Sequence, residues 1–273
     1  MLLVKFKLTL TVVFSAFMAF LIAAGPEVDW TLALLLLGGG FLVTGSANAL
    51  NQVLEKDFDR LMTRTADRPL AAGRMSVSEG VLIGGVSGLT GITLLAAINP
   101  WASFLGTVAL LSYAFLYTPL KRSTPLAITV GAFPGALPVL IGCVAAEGEL
   151  TMLGFALFAV QFLWQFPHFN AIGWLGYDDY RKAGFRFVQG RDPQLGLSAL
   201  VYALLLLPIG LLPFGLGVTG WLSALVAALA AGGYAWMAFR LFRENNRRAA
   251  LGLMFWSFAY LPVVLTAFWL DKI

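Results

Sequence analysis

The sequence predicts an all-α, polytopic membrane protein built as a bundle of about nine transmembrane helices. The first observation is composition: 59% of the 273 residues are hydrophobic and only 12% are charged, whereas a soluble domain has about 25% charged residues. The second is the recurrence of apolar runs of about 18 residues or more, which is long enough to cross a bilayer as a helix. The third is that basic residues fall in alternate loops between these runs, as they do in membrane proteins.

Proline, glycine and short polar segments separate the apolar runs and set the limits of nine predicted spans. The predicted spans are 6–24, 30–54, 78–98, 101–118, 124–146, 151–170, 196–216, 220–242 and 250–270. The first run, from Leu8 to Ala24, exceeds the apolar core of about 7–15 residues found in signal peptides, so we expect a retained first helix. We expect residues 1–273 to form a single integral-membrane domain.

The basic residues predict the orientation of the bundle. Every Lys and Arg except Lys272 lies at the N-terminal end of span 1, at the end of an even-numbered span or in the loop that follows such a span. The positive-inside rule then places the N-terminus and those loops in the cytoplasm and the C-terminus outside, in what we expect to be a bacterial inner membrane. The net charge of +4 follows this topology, so it does not indicate a nucleic-acid partner.

A cluster of polar side chains follows span 2, in the stretch NQVLEKDFDRLMTRTADRPLAAGRM. Asn51, Glu55 and Asp59 are spaced i, i+4 and i+8 and therefore share one face of a helix. One amide oxygen and two carboxylates suit a hard cation, and Mg²⁺ is often held by one or two carboxylates together with substrate phosphates. We therefore predict that these three residues bind a metal at a catalytic site, because polar side chains at membrane depth are costly and tend to be functional.

Arginines in the same loop, Arg64 and Arg68, are candidates for binding the phosphate oxygens of a substrate. Together with the acids they suggest a diphosphate bridged by Mg²⁺, with the lipid tail of the substrate among the helices. The alternative is an ordinary cytoplasmic loop whose arginines obey the topology rule and whose acids neutralise them.

The second large polar segment, residues 164–188, holds the only histidine of the chain. His168 could act as an acid or base, bind a metal or contact a carboxylate, or it could simply bond to backbone near the membrane interface. Asp178 and Asp179 form a second acidic pair that could reach the same metal site, and Lys182 follows them as a candidate substrate contact.

A third segment, YTPLKR, lies at the end of span 4. Tyr117 and Lys121 could add a hydroxyl and an ammonium group to a diphosphate site. The alternative is that Lys121 is a lysine whose long side chain extends from a helix end to the membrane surface.

Taken together, these segments resemble the UbiA superfamily of intramembrane prenyltransferases, and within it the branch that farnesylates haem. The motif that follows span 2 is similar to the superfamily's NDxxDxxxD and to the branch's continuation MxRTxxRPL, and two further segments match the branch. The matching residues are Asn51, Glu55, Asp59, Met62, Arg64, Thr65, Arg68, Pro69 and Leu70, then YTPLKR, then Pro167, His168, Phe169, Trp174, Asp179, Tyr180, Ala183 and Gly184.

The chain departs from the family pattern at three places. Gln52 stands where the general motif has an acid, and Glu55 replaces an aspartate. Asp178 and Asp179 are adjacent, whereas the superfamily's second motif is DxxxD. Residues 5–7 read KFK in place of a KPR-like element, and we expect Lys7 to serve the phosphate there.

The resemblance implies a reaction between farnesyl diphosphate and the vinyl group of haem B, which yields haem O with Mg²⁺ as the cofactor and haem B as a substrate. It implies that Asn51, Glu55, Asp59, Arg64, Arg68 and Lys121 handle metal and diphosphate with help from Asp179, while His168 serves the haem side. It also implies an active site on the cytoplasmic side, and haem A synthase or a terminal oxidase assembly as possible partners.

Three other functions remain open from the sequence. A related prenyltransferase of the same fold could act on a quinone precursor or another ring acceptor. A secondary transporter would need broken helices and charges at the midplane, but here the charges cluster at the ends of the spans. A scaffold protein would leave the shared face of Asn51, Glu55 and Asp59 unexplained.

Overall fold

The computed structural model describes residues 2–186 and 190–273. Within those residues it has nine helices long and apolar enough to cross a membrane, which confirms the predicted all-α bundle of nine spans. The only β pairing among them is an isolated bridge between Thr219 and Lys272. The helices are α1 Phe6–Ala23, α2 Trp30–Asp59, α3 Val77–Ala96, α4 Pro100–Leu111, α5 Thr118–Leu120, α6 Ala127–Glu147, α7 Met152–Lys182, α8 Pro193–Gly210, α9 Leu212–Gly215, α10 Trp221–Glu244 and α11 Arg247–Leu270.

Short polar side chains fix where most of the spanning helices begin. A side-chain oxygen at the position before the helix accepts a hydrogen bond from a backbone N–H of the first turn, which would otherwise lack a partner. Six helices start this way, with caps at Asp29, Ser76, Asn99, Thr151, Asp192 and Asn246. These residues are the polar breaks between the apolar runs, which is why the sequence locates most helix starts to within a few residues.

Two helices continue well beyond their predicted ends. α2 reaches Asp59 rather than residue 54, and α7 reaches Lys182 rather than residue 170. Pro167 removes one backbone hydrogen bond inside α7, yet the helix continues because it is packed against α6, α8 and α11. Most of the predicted second loop is therefore helix, and residues 187–189 of that loop lie outside the described residues.

The packing of the helices places the ends of α2 and α4 side by side. α2 packs along α3, and α6 is an inner helix that packs on α1, α4 and α7. Between α4 and α5, residues Ser112–Tyr117 form a π-helical turn. Such turns are rare in proteins overall, but they occur often at functional sites. This turn faces the last turns of α2 and brings the third polar segment of the sequence against the first.

Candidate active site

A polar cavity of about 210 Å³ lies beside the last turns of α2. Its walls come from the segment before α1, from α2, from the loop that follows α2, from the π-helical turn and from the end of α7. The lining residues are Lys5, Leu8, Asn51, Glu55, Asp59, Met62, Arg64, Thr65, Arg68, Tyr113, Tyr117, Lys121, Tyr180 and Phe185.

Asn51, Glu55 and Asp59 form one wall of this cavity. Their exposed fractions are 1%, 2% and 0%, so all three are buried although two of them carry a carboxylate. Their spacing on α2 turns them to the same side, as the sequence indicates. Burying such groups is unfavourable unless they have partners, and each has one.

Each carboxylate faces a basic side chain from a different part of the chain. Lys121 Nζ lies 2.5 Å from Glu55 Oε1. Arg68 reaches both carboxylate oxygens of Asp59, each at 2.8 Å. Thr65, also buried, donates its hydroxyl to the backbone carbonyl of Asp59. The loop after α2 therefore folds back onto the helix end that precedes it.

The amide of Asn51 joins three elements of the site. Its Nδ2 donates to Glu55 Oε2 at 2.9 Å and to Thr118 Oγ1 at 3.1 Å, and Thr118 in turn donates to the carbonyl of Tyr113 in the π-helical turn. Its Oδ1 accepts from Lys5 Nζ at 3.1 Å. Asn51 is thus fully bonded and links α2 to the segment before α1.

The cavity has an excess of positive charge. Lys5, Arg64, Arg68 and Lys121 line it with only two carboxylates, which favours an anion of more than one charge. Burial lowers the pKa of Lys5 to about 7, and the nearby charges of Arg68 and Lys121 act in the same direction. Burial also lowers the pKa of Lys121, against the opposing effect of Glu55. A bound anion would favour the charged form of both ammonium groups.

The remaining cavity residues place aromatic rings next to these bases. Lys121 Nζ lies 4.9 Å from the ring centre of Tyr117, and Tyr117 packs 5.3 Å from Tyr113. Arg64 donates to the hydroxyl of Tyr180 at 3.0 Å across the cavity mouth. Arg64, Arg68, Tyr117 and Lys121 therefore all line the cavity, as their candidate roles require.

The residues of the α2 wall fit a divalent cation by their chemistry. Two carboxylates and an amide oxygen line one side of the cavity, and such oxygens are the ligands that Mg²⁺ takes together with phosphate oxygens. In the structure these oxygens are bonded to Lys5, Lys121 and Arg68. Within the described residues there is no cluster of three or more His, Cys, Asp or Glu side chains, so a metal here would depend on non-carboxylate oxygens as well.

An apolar cavity of about 110 Å³ adjoins the polar one. Leu8 and Tyr113 line both. The rest of the apolar cavity lies between α1, α2, α4 and α6 and is lined mainly by Val, Leu, Ala, Gly and Pro side chains, among them Val13, Gly40 and Pro138. An anionic head group and a hydrocarbon tail would thus find adjacent compartments, with Tyr113 at the boundary.

Three predicted substrate contacts, Lys7, Asp178 and Lys182, and the predicted catalytic residue Asp179 do not line the polar cavity. Lys7 is exposed on the first turn of α1, and Lys182 is exposed at the end of α7. Asp178 is bound by Arg191 at 2.8 Å, and Asp179 accepts from Thr63 at 3.3 Å. Because α7 stays helical to Lys182, its successive residues point in different directions, and it is Tyr180 that reaches the cavity.

His168 also lies away from the polar cavity, on α7 where that helix meets α11. It is three turns before Tyr180, roughly 18 Å along the helix at 1.5 Å per residue. Its Nδ1 is 2.7 Å from Ser257 Oγ, and its ring stacks on Trp164 at 5.1 Å. Phe258, which is 52% exposed, packs against the same ring at 5.4 Å.

Seven residues that line the cavity were not among the predicted site residues: Lys5, Leu8, Met62, Thr65, Tyr113, Tyr180 and Phe185. Thr118, which accepts a hydrogen bond from Asn51, was not predicted either. Lys5 takes the place expected for Lys7 because α1 begins at Phe6, so Lys5 precedes the helix and turns inward. Tyr113 lies four residues before Tyr117, which is a signal that the sequence offers. Nothing in the sequence marks Thr118 as a partner of Asn51, because they are 67 residues apart.

Comparison with known families identifies the fold and its chemistry. The model of the UbiA prenyltransferase family matches residues 12–259, which is most of the chain. The chain belongs to the UbiA prenyltransferase family. The expected family and the expected enzyme class, a prenyltransferase, are thereby confirmed.

Relatives within the UbiA family are similar over nearly the full length. The protoheme IX farnesyltransferase of Cytophaga hutchinsonii is 43% identical over 275 residues, covering 99% of this chain and 96% of that protein. Among solved structures, digeranylgeranylglyceryl phosphate synthase has a TM-score of 0.82 at 20% identity, with 99% and 96% of the two chains covered. A UbiA homolog from Archaeoglobus fulgidus bound to GPP and Mg²⁺ has a TM-score of 0.69 at 15% identity, with 96% and 99% covered.

Proposed function

We propose that this UbiA-family chain transfers the farnesyl group of farnesyl diphosphate to the vinyl group of haem B and so makes haem O. The observation that carries the proposal is the pair of adjoining cavities, one rich in basic side chains and one apolar, with Tyr113 and Leu8 lining both. The acceptor is inferred from the relative at 43% identity, which is named a protoheme IX farnesyltransferase.

In this proposal the diphosphate lies in the polar cavity and the farnesyl chain in the apolar one. Arg64, Arg68, Lys121 and Lys5 bind phosphate oxygens, since all four line the polar cavity. Asn51, Glu55 and Asp59 would hold Mg²⁺, whose charge would offset the charge that develops on the departing diphosphate. The solved UbiA homolog with GPP and Mg²⁺ supports this pairing of a metal with a prenyl diphosphate.

The reaction begins when the allylic C–O bond breaks and diphosphate takes the electron pair. Basic side chains would stabilise the leaving group because they already line the cavity that would hold it. Tyr113 stands where the two cavities meet, so its ring faces the region in which the allylic cation forms and attracts positive charge. The vinyl carbon of haem attacks this cation, and water then adds to the resulting cation with loss of a proton.

The proposed haem-side residue is His168. Its ring is held through Nδ1 by Ser257 and flanked by Trp164 and Phe258, and the described residues offer no hydrogen-bond partner for its Nε2. A nitrogen held in this way among flat rings suits contact with a flat macrocycle or its iron. His168→Ala should then reduce the affinity for haem and leave that for farnesyl diphosphate unchanged.

The proposal includes a place in the cell. The polar cavity opens on the side that carries the basic loops, which the positive-inside rule assigns to the cytoplasm. We propose a bacterial inner membrane, a cytoplasmic N-terminus and an external C-terminus, with residues 1–273 acting as one domain. The product would pass to haem A synthase or to a terminal oxidase assembly.

The deciding experiment is an assay of the detergent-purified protein with haem B, farnesyl diphosphate and Mg²⁺, read by the mass of the pigment. A gain in pigment mass that matches hydroxyethylfarnesyl addition would establish the reaction. The gain should be lost in Asp59→Ala and retained in Asp57→Ala, which changes an exposed residue of the same helix. Prenylation of a phenolic acid instead would replace the acceptor and retain the enzyme class. Binding of both substrates without any product or diphosphate release would refute the proposal.

A further inference from the structure

Gln52 is the one residue of the α2 motif that does not line the polar cavity, although it stands where the general family motif has an acid. It is fully buried, with 0% exposure. Its Nε2 donates to the backbone carbonyl of Leu2 at 3.0 Å and to that of Leu3 at 2.7 Å. The side-chain amide therefore donates both of its N–H groups to the segment of residues 2–5, which precedes α1.

Two further contacts hold this segment against α2. Leu3 is buried and packs with Ala49 and Leu70 in a small apolar cluster. The carbonyl of Val4 accepts from Thr9 at 2.6 Å and from Asn48 of α2 at 3.4 Å. Among the described residues, the side-chain hydrogen bonds from α2 to Leu2 and Leu3 are those of Gln52, and Leu2 also accepts from the backbone N–H of Lys5 within the segment.

The segment ends at Lys5, whose ammonium group enters the polar cavity. Lys5 Nζ reaches Asn51 Oδ1 at 3.1 Å, and its backbone φ is 45°. A residue other than glycine adopts such a left-handed conformation only where surrounding contacts maintain it. Gln52 and Asn51 are neighbours on α2, so one turn of this helix holds the backbone of the segment and receives its lysine.

An acid at position 52 could not make these contacts. A carboxylate has no N–H group, and it would face two carbonyl oxygens in a buried site. The amide at this position therefore binds a backbone segment in a way that the acid of the general motif could not.

We propose that Gln52 is a positioning residue that holds residues 2–5 closed over the polar cavity and thereby keeps the Lys5 ammonium on the diphosphate. This inference rests on the proposed function for the identity of the anion. It predicts that loss of the Gln52 amide opens the segment and weakens diphosphate binding through Lys5 alone.

The opening of the segment can be measured without any enzymatic reaction. A single cysteine is introduced as Leu3→Cys in a Cys143→Ala background, and its reaction with a maleimide is timed in detergent. Leu3 is only 7% exposed, so labelling should be slow in the parent. Gln52→Met, which removes the donors at similar size, should label at least about tenfold faster, because both hydrogen bonds to the segment are lost.

A matched control is Asn170→Leu. Asn170 is buried and donates its amide to the carbonyl of Leu195, but it lines neither cavity. The Asn170→Leu variant should react with maleimide at the parent rate. If Gln52→Met does not fold, Gln52→Asn keeps the amide on a shorter side chain and should label at an intermediate rate.

The link to Lys5 is tested by comparing single and double variants. Lys5→Met and Gln52→Met should each raise the KM for farnesyl diphosphate, and the double variant should be no worse than Lys5→Met, because the two residues act through one contact. Effects that multiply would mean that Gln52 acts on stability alone and would overturn the proposal, as would parent-like labelling of Gln52→Met.

Inorganic pyrophosphate separates this inference from the proposed acceptor. With Mg²⁺, pyrophosphate should slow maleimide labelling of the parent and have no such effect on Lys5→Met. If this protection holds while the haem assay gives no product, the acceptor is wrong and the role of Gln52 stands. If pyrophosphate protects both proteins equally, Lys5 does not hold the anion and the inference fails.

Discussion

Arg68 binds both carboxylate oxygens of Asp59 at 2.8 Å, and this pair ties the loop after α2 to the helix end nine residues before it. Asp59 is fully buried and the Arg68 side chain is 18% exposed. Both contacts come from Nη1 of Arg68, and hydrogen bonds between two charged groups are stronger than those between neutral ones. The pair fixes the loop that also carries Arg64 and Thr65, so the geometry of the polar cavity depends on it.

Removing only the arginine should be more damaging than removing both charges. Arg68→Ala leaves the buried Asp59 carboxylate without its partner, which costs roughly 3–5 kcal/mol in comparable buried pairs. We expect a lower thermal unfolding midpoint for Arg68→Ala and partial recovery in the double variant Asp59→Asn with Arg68→Met. Equal midpoints for the single and double variants would show that the pair does not hold the loop.

Asp59 should matter for catalysis beyond its effect on folding. Asp59→Asn keeps the shape of the side chain but removes the charge that we assign to the metal, so we expect kcat/KM to fall roughly a hundredfold. Asp57→Asn is the matched control, because Asp57 is exposed on the same helix and pairs only with Arg60 at 3.4 Å. Similar losses in the two variants would argue against a specific role for Asp59.

Lys5 should give the affinity for diphosphate a dependence on pH. Its pKa is lowered to about 7, first by burial and then by neighbouring positive charge, while a bound anion favours the charged form. Below pH 7 the free and bound forms both carry the proton, so Lys5 contributes no pH dependence. Above pH 7 Lys5 loses its proton in the free protein and must take up a proton when the diphosphate binds. The KM for farnesyl diphosphate should therefore rise by up to about tenfold per pH unit.

The control for this prediction is Lys5→Arg, because arginine stays charged throughout the accessible pH range. The substrate's own titration affects both proteins equally, so the difference between their KM profiles isolates Lys5. Parallel profiles above pH 7 would contradict the assignment of Lys5 to the diphosphate.

The apolar cavity should limit the length of the prenyl chain. A Cβ added at Gly40 would meet only Val13, at 3.8 Å, so Gly40→Leu can fold and still fill the cavity. We expect it to lower kcat/KM for farnesyl diphosphate at least about tenfold more than that for dimethylallyl diphosphate, since about three buried methylene groups are excluded. Gly85→Leu, with open space around the added carbon, should leave both substrates unaffected.

The orientation of the bundle is open to a direct test with reporters. A reporter fused after Arg74 should be cytoplasmic and one fused after Glu149 should be external, because the positive-inside rule places the basic loops in the cytoplasm. Activity of a cytoplasmic reporter at Glu149, with none at Arg74, would reverse the orientation and with it the side from which diphosphate enters.

Much of the site could be predicted because its main wall is local in sequence. Asn51, Glu55 and Asp59 come together through the period of one helix, and Arg64 and Arg68 follow in the adjoining loop. The sequence marks His168, Asp178 and Asp179 as unusual residues, but it does not show where they lie relative to the polar cavity. Their direction depends on α7 continuing past Pro167, which packing against neighbouring helices decides.

The sequence by itself determined that the described part of the chain forms nine helices long and apolar enough to cross a membrane, with a cluster of polar groups at the end of the second. Hydrophobic length, capping residues and the helical period are properties of short stretches and need no partner. Only the tertiary structure decided that Lys5 rather than Lys7 enters the cavity, that Gln52 binds residues 2–5, and that Tyr113 stands between the two cavities. The contacts of Lys5 and Gln52 join residues 46 and 50 apart in the chain, and Tyr113 lines both cavities because of how whole helices pack.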